Sequence, residues 1–178
     1  MKAPLEIERK YLIHMPNVAA LEDMQGVRVF HITQTYLCAP AGITRRVRRR
    51  TEGDKTVYIL TEKERVSSLT AVERERELTE AEYEAALATA RPDATPIEKT
   101  RYAIPYGNYT VEIDVYPFWS DAAILEIELG SEEECVELPP YVALIAEVTA
   151  DARFKNAALA KSADTRGDLP RLLAPDMR

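Results

Sequence analysis

What most limits the fold of this chain is the sorting of charge, by sign and by parity, along a series of short alternating segments. From Leu5 to Ile13 the residues Leu5, Ile7, Tyr11 and Ile13 point one way and Glu6, Glu8 and Lys10 the other, with Arg9 the exception. A period of two is the mark of a strand whose faces meet different surroundings. Further strands are expected over Gln34–Cys38, Arg45–Arg50, Thr56–Lys63, Ala71–Leu78, Ile97–Ile104, Tyr109–Tyr116 and Ala122–Leu129, with turn signals at Glu52-Gly53-Asp54 and Tyr106-Gly107-Asn108. About eight strands is the number at which an antiparallel sheet closes into a barrel just wide enough for a small ligand.

On most of these strands one face carries charges of a single sign. Arg46, Arg48 and Arg50 share a face, as do Lys99 and Arg101; Glu73, Glu75 and Glu77 form an acidic set, and Glu112 with Asp114 and Glu126 with Glu128 form two more. Behind the last two lie Val111, Ile113 and Val115, then Leu125, Ile127 and Leu129, while Arg45, Arg49, Arg74 and Arg76 break the pattern. For any single strand an ordinary half-buried sheet with charge toward water is explanation enough. The whole set is harder to account for in that way, because like charges in register cost roughly 0.2–1 kcal/mol per opposed pair. Separate acidic and basic strands suit a ligand that carries both signs. A polyphosphate with divalent cations is one: its oxygens take Arg and Lys, and its hard cations take carboxylates. An interior lined in this way cannot be a dry core, since isolated ions lose too much hydration.

Composition narrows the rest. A chain of 178 residues with 46% hydrophobic content supports one sizeable core, so a single domain over 1–161 and a tail over 162–178, where Pro170 and Pro175 fall among scattered charges, are expected. A formal charge of −7 argues against a general nucleic-acid binder. The 2 histidines, His14 and His31, stand apart, and the 2 cysteines, Cys38 and Cys135, have neither disulfide-scaffold nor zinc spacing. Any metal is therefore expected to be held by oxygen. With 6 glycines there is no phosphate-cradling glycine loop, so side chains must hold the phosphates. No stretch reads as a signal peptide or a membrane span, and a cytoplasmic protein that binds no membrane is expected. Helices are expected over Thr79–Ala90, opened by a capping box of Thr79 and Glu82, and more weakly over Asn17–Met24, Pro140–Ala146 and Asn156–Lys161.

Glu6-Ile7-Glu8-Arg9-Lys10-Tyr11 resembles the E-x-E-x-K signature of the CYTH, or triphosphate tunnel metalloenzyme, family. Further blocks follow in the family's order: Gln34-Thr35-Tyr36-Leu37, Arg46-Val47-Arg48, Thr61-Glu62-Lys63, Glu73-Arg74-Glu75, Glu98-Lys99-Thr100-Arg101-Tyr102, Val111-Glu112-Ile113-Asp114, Leu125-Glu126-Ile127-Glu128, Glu147-Val148-Thr149 and Arg153-Phe154-Lys155-Asn156. The resemblance covers about residues 5 to 161. It implies an α+β, mainly antiparallel fold: a closed eight-stranded β-barrel, the triphosphate tunnel, with helices packed outside. It implies Glu6, Glu8, Glu126 and Glu128 as main metal ligands, with Glu73 or Glu75 helping to hold a second ion and position water. Lys10, Arg46, Arg48, Lys63, Lys99 and Arg101 are implied as the phosphate-binding set, with Glu8, Glu73, Glu75 and Lys63 closest to the chemistry. The Arg-rich run is longer than in similar family members, so Arg50 is an alternative to Arg48 in the tunnel, and Glu77 shares the parity of Glu73 and Glu75. The activity implied is Mg²⁺- or Mn²⁺-dependent hydrolysis, with two ions, of a small-molecule triphosphate, inorganic triphosphate leading, by a monomer or homodimer. The alternatives are a class IV-like adenylyl cyclase, a thiamine triphosphatase and a non-catalytic polyphosphate-binding module. Trp119 could stack on a base, but a Trp after Pro117-Phe118 is more often a packing residue.

Overall fold

The structure, a computed structural model, describes residues 5–67 and 69–161; the expected tail over 162–178 lies outside them. The strands are β1 (Leu5–His14), β2 (Arg28–Leu37), β3 (Ile43–Glu52), β4 (Lys55–Arg65), β5 (Thr70–Leu78), β6 (Ile97–Tyr106), β7 (Tyr109–Val115), β8 (Ala122–Glu128) and β9 (Leu144–Glu147). The helices are α1 (Val18–Glu22), α2 (Glu80–Leu87) and α3 (Asn156–Lys161), with a 3₁₀ turn at Ala152–Phe154. Every strand pairing is antiparallel, in the order β5-β4-β3-β2-β6-β7-β8-β1, and β1 pairs again with β5, which closes the eight-stranded barrel; β9 adds to the other part of β1.

Register fixes which residues look inward. Opposite Lys10 stands Glu126, opposite Gln34 stands Arg48, and opposite Lys63 stands Glu73, so the charged parity of each strand meets the charged parity of the next. The apolar parity of β1, β7 and β8 packs on the outer wall, where Ile13, Val111, Ile113, Leu125 and Ile127 lie under Leu21 of α1. On the opposite wall Tyr83 of α2 covers Val47, Leu37 and Leu78. The capping box forms as expected: the Thr79 hydroxyl accepts from the Glu82 backbone at 3.2 Å, and the Thr79 backbone donates to the Glu82 carboxylate at 2.8 Å.

At one end the inward face turns apolar. Leu12, Tyr36, Ile97, Tyr116 and Ile124 continue the parity of the charged residues and pack with Trp119, Phe154 and Leu159. α3 and the 3₁₀ turn therefore stopper one end of the barrel instead of covering its outer wall. Trp119 is one of these packing residues and is 4% exposed.

Two expectations are corrected. Pro140–Ala146 is not helical: a turn at Pro139–Val142 leads into β9, which pairs Ala146 with Leu12 and Glu147 with Tyr11. β5 pairs with β1 near Glu6 and Ile7 and then diverges, leaving backbone groups of β1 that need partners, and this demand outweighs a weak local helix preference. Between β5 and β9, the Lys10 N–H donates to the Thr149 hydroxyl at 3.0 Å and its carbonyl accepts from Val148 at 2.8 Å. The strand expected at Gln34–Cys38 begins earlier, at Arg28; Phe30 and Ile32 are buried there on the same parity as Gln34 and Tyr36, so charge gives that stretch no contrast between faces. Among the described residues no helix is long and apolar enough to cross a membrane.

Candidate functional site

The barrel encloses a cavity of about 760 Å³. Its lining includes Glu6, Glu8, Lys10, Arg46, Arg48, Arg50, Lys63, Glu73, Glu75, Lys99, Arg101, Glu126 and Glu128, so every site residue expected from the sequence is brought to one chamber. Arg48 and Arg50, the alternatives for the tunnel, line the cavity together with Arg46, and Glu73 and Glu75 line it while Glu77 does not.

The charges fall into two layers. Deeper in, Asp114 is fully buried and accepts from Lys99 and, through both oxygens, from Arg101 at 2.6 and 2.7 Å. Arg101 also donates to Glu126 at 2.6 Å and to Glu112, and Lys10 pairs with Glu126 at 2.5 Å. Burial, then the neighbouring Arg101, pulls the Lys99 ammonium down to about 8. For Lys10 burial acts the same way, but Glu126 and Glu8 outweigh it and its pKa rises. Glu126 is held well below the usual carboxylate range because Lys10 and Arg101 outweigh the burial that would raise it.

The second layer is crowded with carboxylates. Lys63 pairs with Glu6 and lies 3.9 Å from Glu8 and 3.3 Å from Glu73. Glu8 stands directly across the ladder from Glu128. Burial, then the charges of Glu6, Glu8 and Glu73, push the Glu128 carboxyl above its ordinary range, and no cation comes within ion-pair distance of it among the described residues. Burial likewise raises Glu6 against the pull of Lys63. On the arginine side, Arg46 reaches Glu73 at 3.4 Å and Arg48 pairs with Glu75. Burial, then Arg46 beside it, lowers Arg48 to about 10.

No three His, Cys, Asp or Glu side chains among the described residues are gathered closely enough to hold an ion as they stand. The chemistry of the donors nevertheless fits a hard cation. Four carboxylates, Glu6, Glu8, Glu73 and Glu128, crowd one region, and the ammonium of Lys63 stands among three of them in the place of a small cation.

Sequence reasoning did not assign Glu112 or Asp114 to the site, although their shared parity was visible. Lys155 and Asn156 also line the cavity. They carry a signal in the Arg153-Phe154-Lys155-Asn156 block, but nothing local says that the residues leading into α3 fold back over the stoppered end of the barrel. Burial, then Arg65 and Lys10 nearby, lowers the Lys155 ammonium to about 8.

Comparison with known proteins agrees with the barrel fold. The family model of the CYTH domain matches residues 4–142. No curated protein matches the chain. Among solved structures, the inorganic triphosphatase NE1496 is 31% identical with a TM-score of 0.54, over 88% of this chain and 95% of that one. The PH1819 protein from Pyrococcus horikoshii OT3, 17% identical with a TM-score of 0.57 over 72% of this chain and 80% of that one, shares the fold. So does a conserved hypothetical protein from Pyrococcus furiosus, 20% identical with a TM-score of 0.55 over the same shares.

Proposed function

This chain belongs to the CYTH domain family, and from that premise we propose that it hydrolyses inorganic triphosphate with the help of divalent cations. The observation that carries the reading is the convergence of Lys10, Arg46, Arg48, Lys63, Lys99 and Arg101 on one chamber that also holds Glu6, Glu8, Glu73 and Glu128. Its support from similarity is the triphosphatase NE1496, which matches over most of both chains.

The basic residues bind and orient the substrate. Arg46 and Arg48 present forked donors suited to phosphate oxygens, and Lys10, Lys63, Lys99 and Arg101 meet the chain of phosphates from other strands. In the resting protein these groups are satisfied by carboxylates. An incoming triphosphate exchanges those partners: phosphate oxygens replace carboxylates on the cations, and the released carboxylates become available as metal ligands. Glu6, Glu8, Glu73 and Glu128 would hold Mg²⁺ or Mn²⁺, joined by Glu75 once it leaves Arg48 and by Glu126 once it leaves Lys10 and Arg101. When bound, the cations supply charge neutralisation on the phosphate oxygens and make water more acidic. In the reaction, water adds to a terminal phosphorus, the bond to the bridging oxygen breaks, and orthophosphate and pyrophosphate leave. Basic residues preorganised along the chain hold the departing oxygens as their charge grows.

The organic end of a nucleotide finds no ring to stack on at Trp119, which is buried among Tyr116, Phe118 and Phe154. Incubation with tripolyphosphate, ATP and thiamine triphosphate, each with Mg²⁺, Mn²⁺ or EDTA, tests the reading by product identification. Pyrophosphate and phosphate from tripolyphosphate, only with metal, are expected; cyclic AMP from ATP, or binding with no turnover of any of the three, would replace it.

A further inference from the structure

The cations of the cavity differ in what holds them. Lys10, Arg46, Arg48, Lys63, Lys99 and Arg101 each pair with a carboxylate. Arg50 lines the same cavity, and among the described residues no carboxylate lies within ion-pair distance of it. It rests instead on the ring of Phe30, with its guanidinium carbon 5.1 Å from the ring centroid.

Its place follows from register. Arg50 lies two residues beyond Arg48, about 6–7 Å further along the strand, flanked by Ile32 on β2 and Val57 on β4. The wall there is apolar, formed by Phe30, Ile32 and Ala103. Stacking holds the plane of a guanidinium while leaving its N–H edge uncommitted. Glu52, the carboxylate near enough to feel the charge of Arg50, is already engaged by Arg28 through both oxygens at 2.7 Å, so on this apolar wall the free edge of Arg50 is left to an anion or water.

Resting on the triphosphatase reading above, we propose that Arg50 forms a further phosphate subsite, so that the tunnel favours a linear polyphosphate of at least four phosphates over triphosphate. The geometry selects phosphate over a nucleobase. Phe30, the aromatic ring at this position, is 6% exposed and has the guanidinium of Arg28 4.9 Å and that of Arg50 5.1 Å from its centroid, so it is too buried to offer a stacking surface to a base. Arg28 is fixed by Glu52 through two contacts of 2.7 Å, so it props the ring in place and does not compete for the cavity.

The test is titration calorimetry with tripolyphosphate and tetrapolyphosphate in EDTA, paired with steady-state kinetics in Mg²⁺. The wild-type protein should bind tetrapolyphosphate about tenfold more tightly, the order of one charge-assisted contact. Arg50→Gln should lower affinity and kcat/KM for tetrapolyphosphate about tenfold more than for tripolyphosphate, and Arg50→Lys should restore part of the preference. Equal loss on both ligands would place Arg50 within the triphosphate set, and a preference that survives Arg50→Gln would remove it from the site; either overturns the proposal. If tripolyphosphate is bound and cleaved but no preference exists, the further subsite alone falls. If neither ligand is bound or cleaved, the triphosphatase reading falls and takes this one with it.

Discussion

Glu128→Gln separates a carboxylate held for a cation from one held for the fold. Glu128 faces Glu8 directly across the β1–β8 ladder, has no ion-pair partner among the described residues, and is raised by burial and by Glu6, Glu8 and Glu73. Directly opposed like charges on strands cost roughly 0.2–1 kcal/mol, and since no ion pair is lost the neutral variant should gain about that much. For a chain of this size 1 kcal/mol corresponds to about 2–4 °C, so in EDTA the variant should melt above wild type by up to about 4 °C. With Mg²⁺ or Mn²⁺ at a hundredfold excess over Kd, wild type gains about 2.7 kcal/mol by linkage, or roughly 5–11 °C. The variant should gain much less. The order of melting temperatures therefore inverts between the two buffers, while phosphate release from tripolyphosphate is lost in the variant. Scanning calorimetry of both proteins in both buffers is the assay. A variant that melts lower in EDTA, or that keeps the full metal-induced rise, refutes the assignment of Glu128 to a cation.

Further expectations concern other parts of the molecule. Lys99 and Lys155 titrate at about 8, below the ordinary lysine value; both are protonated below that pH and lose their charge above it, so tripolyphosphate affinity measured in EDTA should be flat near pH 7 and fall between pH 8 and 10. Asp114→Asn leaves Lys99 and Arg101 buried without their shared counter-charge and should destabilise the protein by about 3–5 kcal/mol, measured by urea unfolding. Thr79→Ala removes the α2 cap on the outer wall and should cost about 1 kcal/mol while leaving kcat/KM for tripolyphosphate unchanged.

Strand faces with contrasting environments were legible in the sequence. Glu6, Glu8 and Lys10, or Glu126 and Glu128, advertise their parity because the reverse face is aliphatic, and the register then brings them into one chamber. The start of β2 was not legible, because Phe30 and Ile32 put apolar side chains on the inward face and erase the contrast. β9 was hidden for another reason: its extended form is dictated by the β1 backbone left open beyond β5, a demand made by residues more than a hundred positions away. The pairing of charges within the chamber was hidden too, since sign segregation along strands says nothing about which acid meets which base once the sheet has closed.

That pairing gives the site its logic. Carboxylates clustered without counter-charges would cost the fold more than a small barrel can bear, and so would the arginine and lysine rows alone. Closing the sheet sets Lys63 against Glu6 and Glu73, Arg48 against Glu75, and Lys10 against Glu126, so each sign stabilises the other while no ligand is present. A polyphosphate bringing its own cations offers both sets new partners at once, whereas an anion alone frees carboxylates into a crowded chamber and a cation alone frees ammonium and guanidinium groups. Tripolyphosphate and Mg²⁺ should therefore bind with positive coupling: by reciprocity each should tighten the other by the same factor. Titration of each ligand in the presence and absence of the other, with the Glu128→Gln variant as control, measures that factor. Independent binding would mean that the ion pairs of the resting tunnel are not exchanged when it fills.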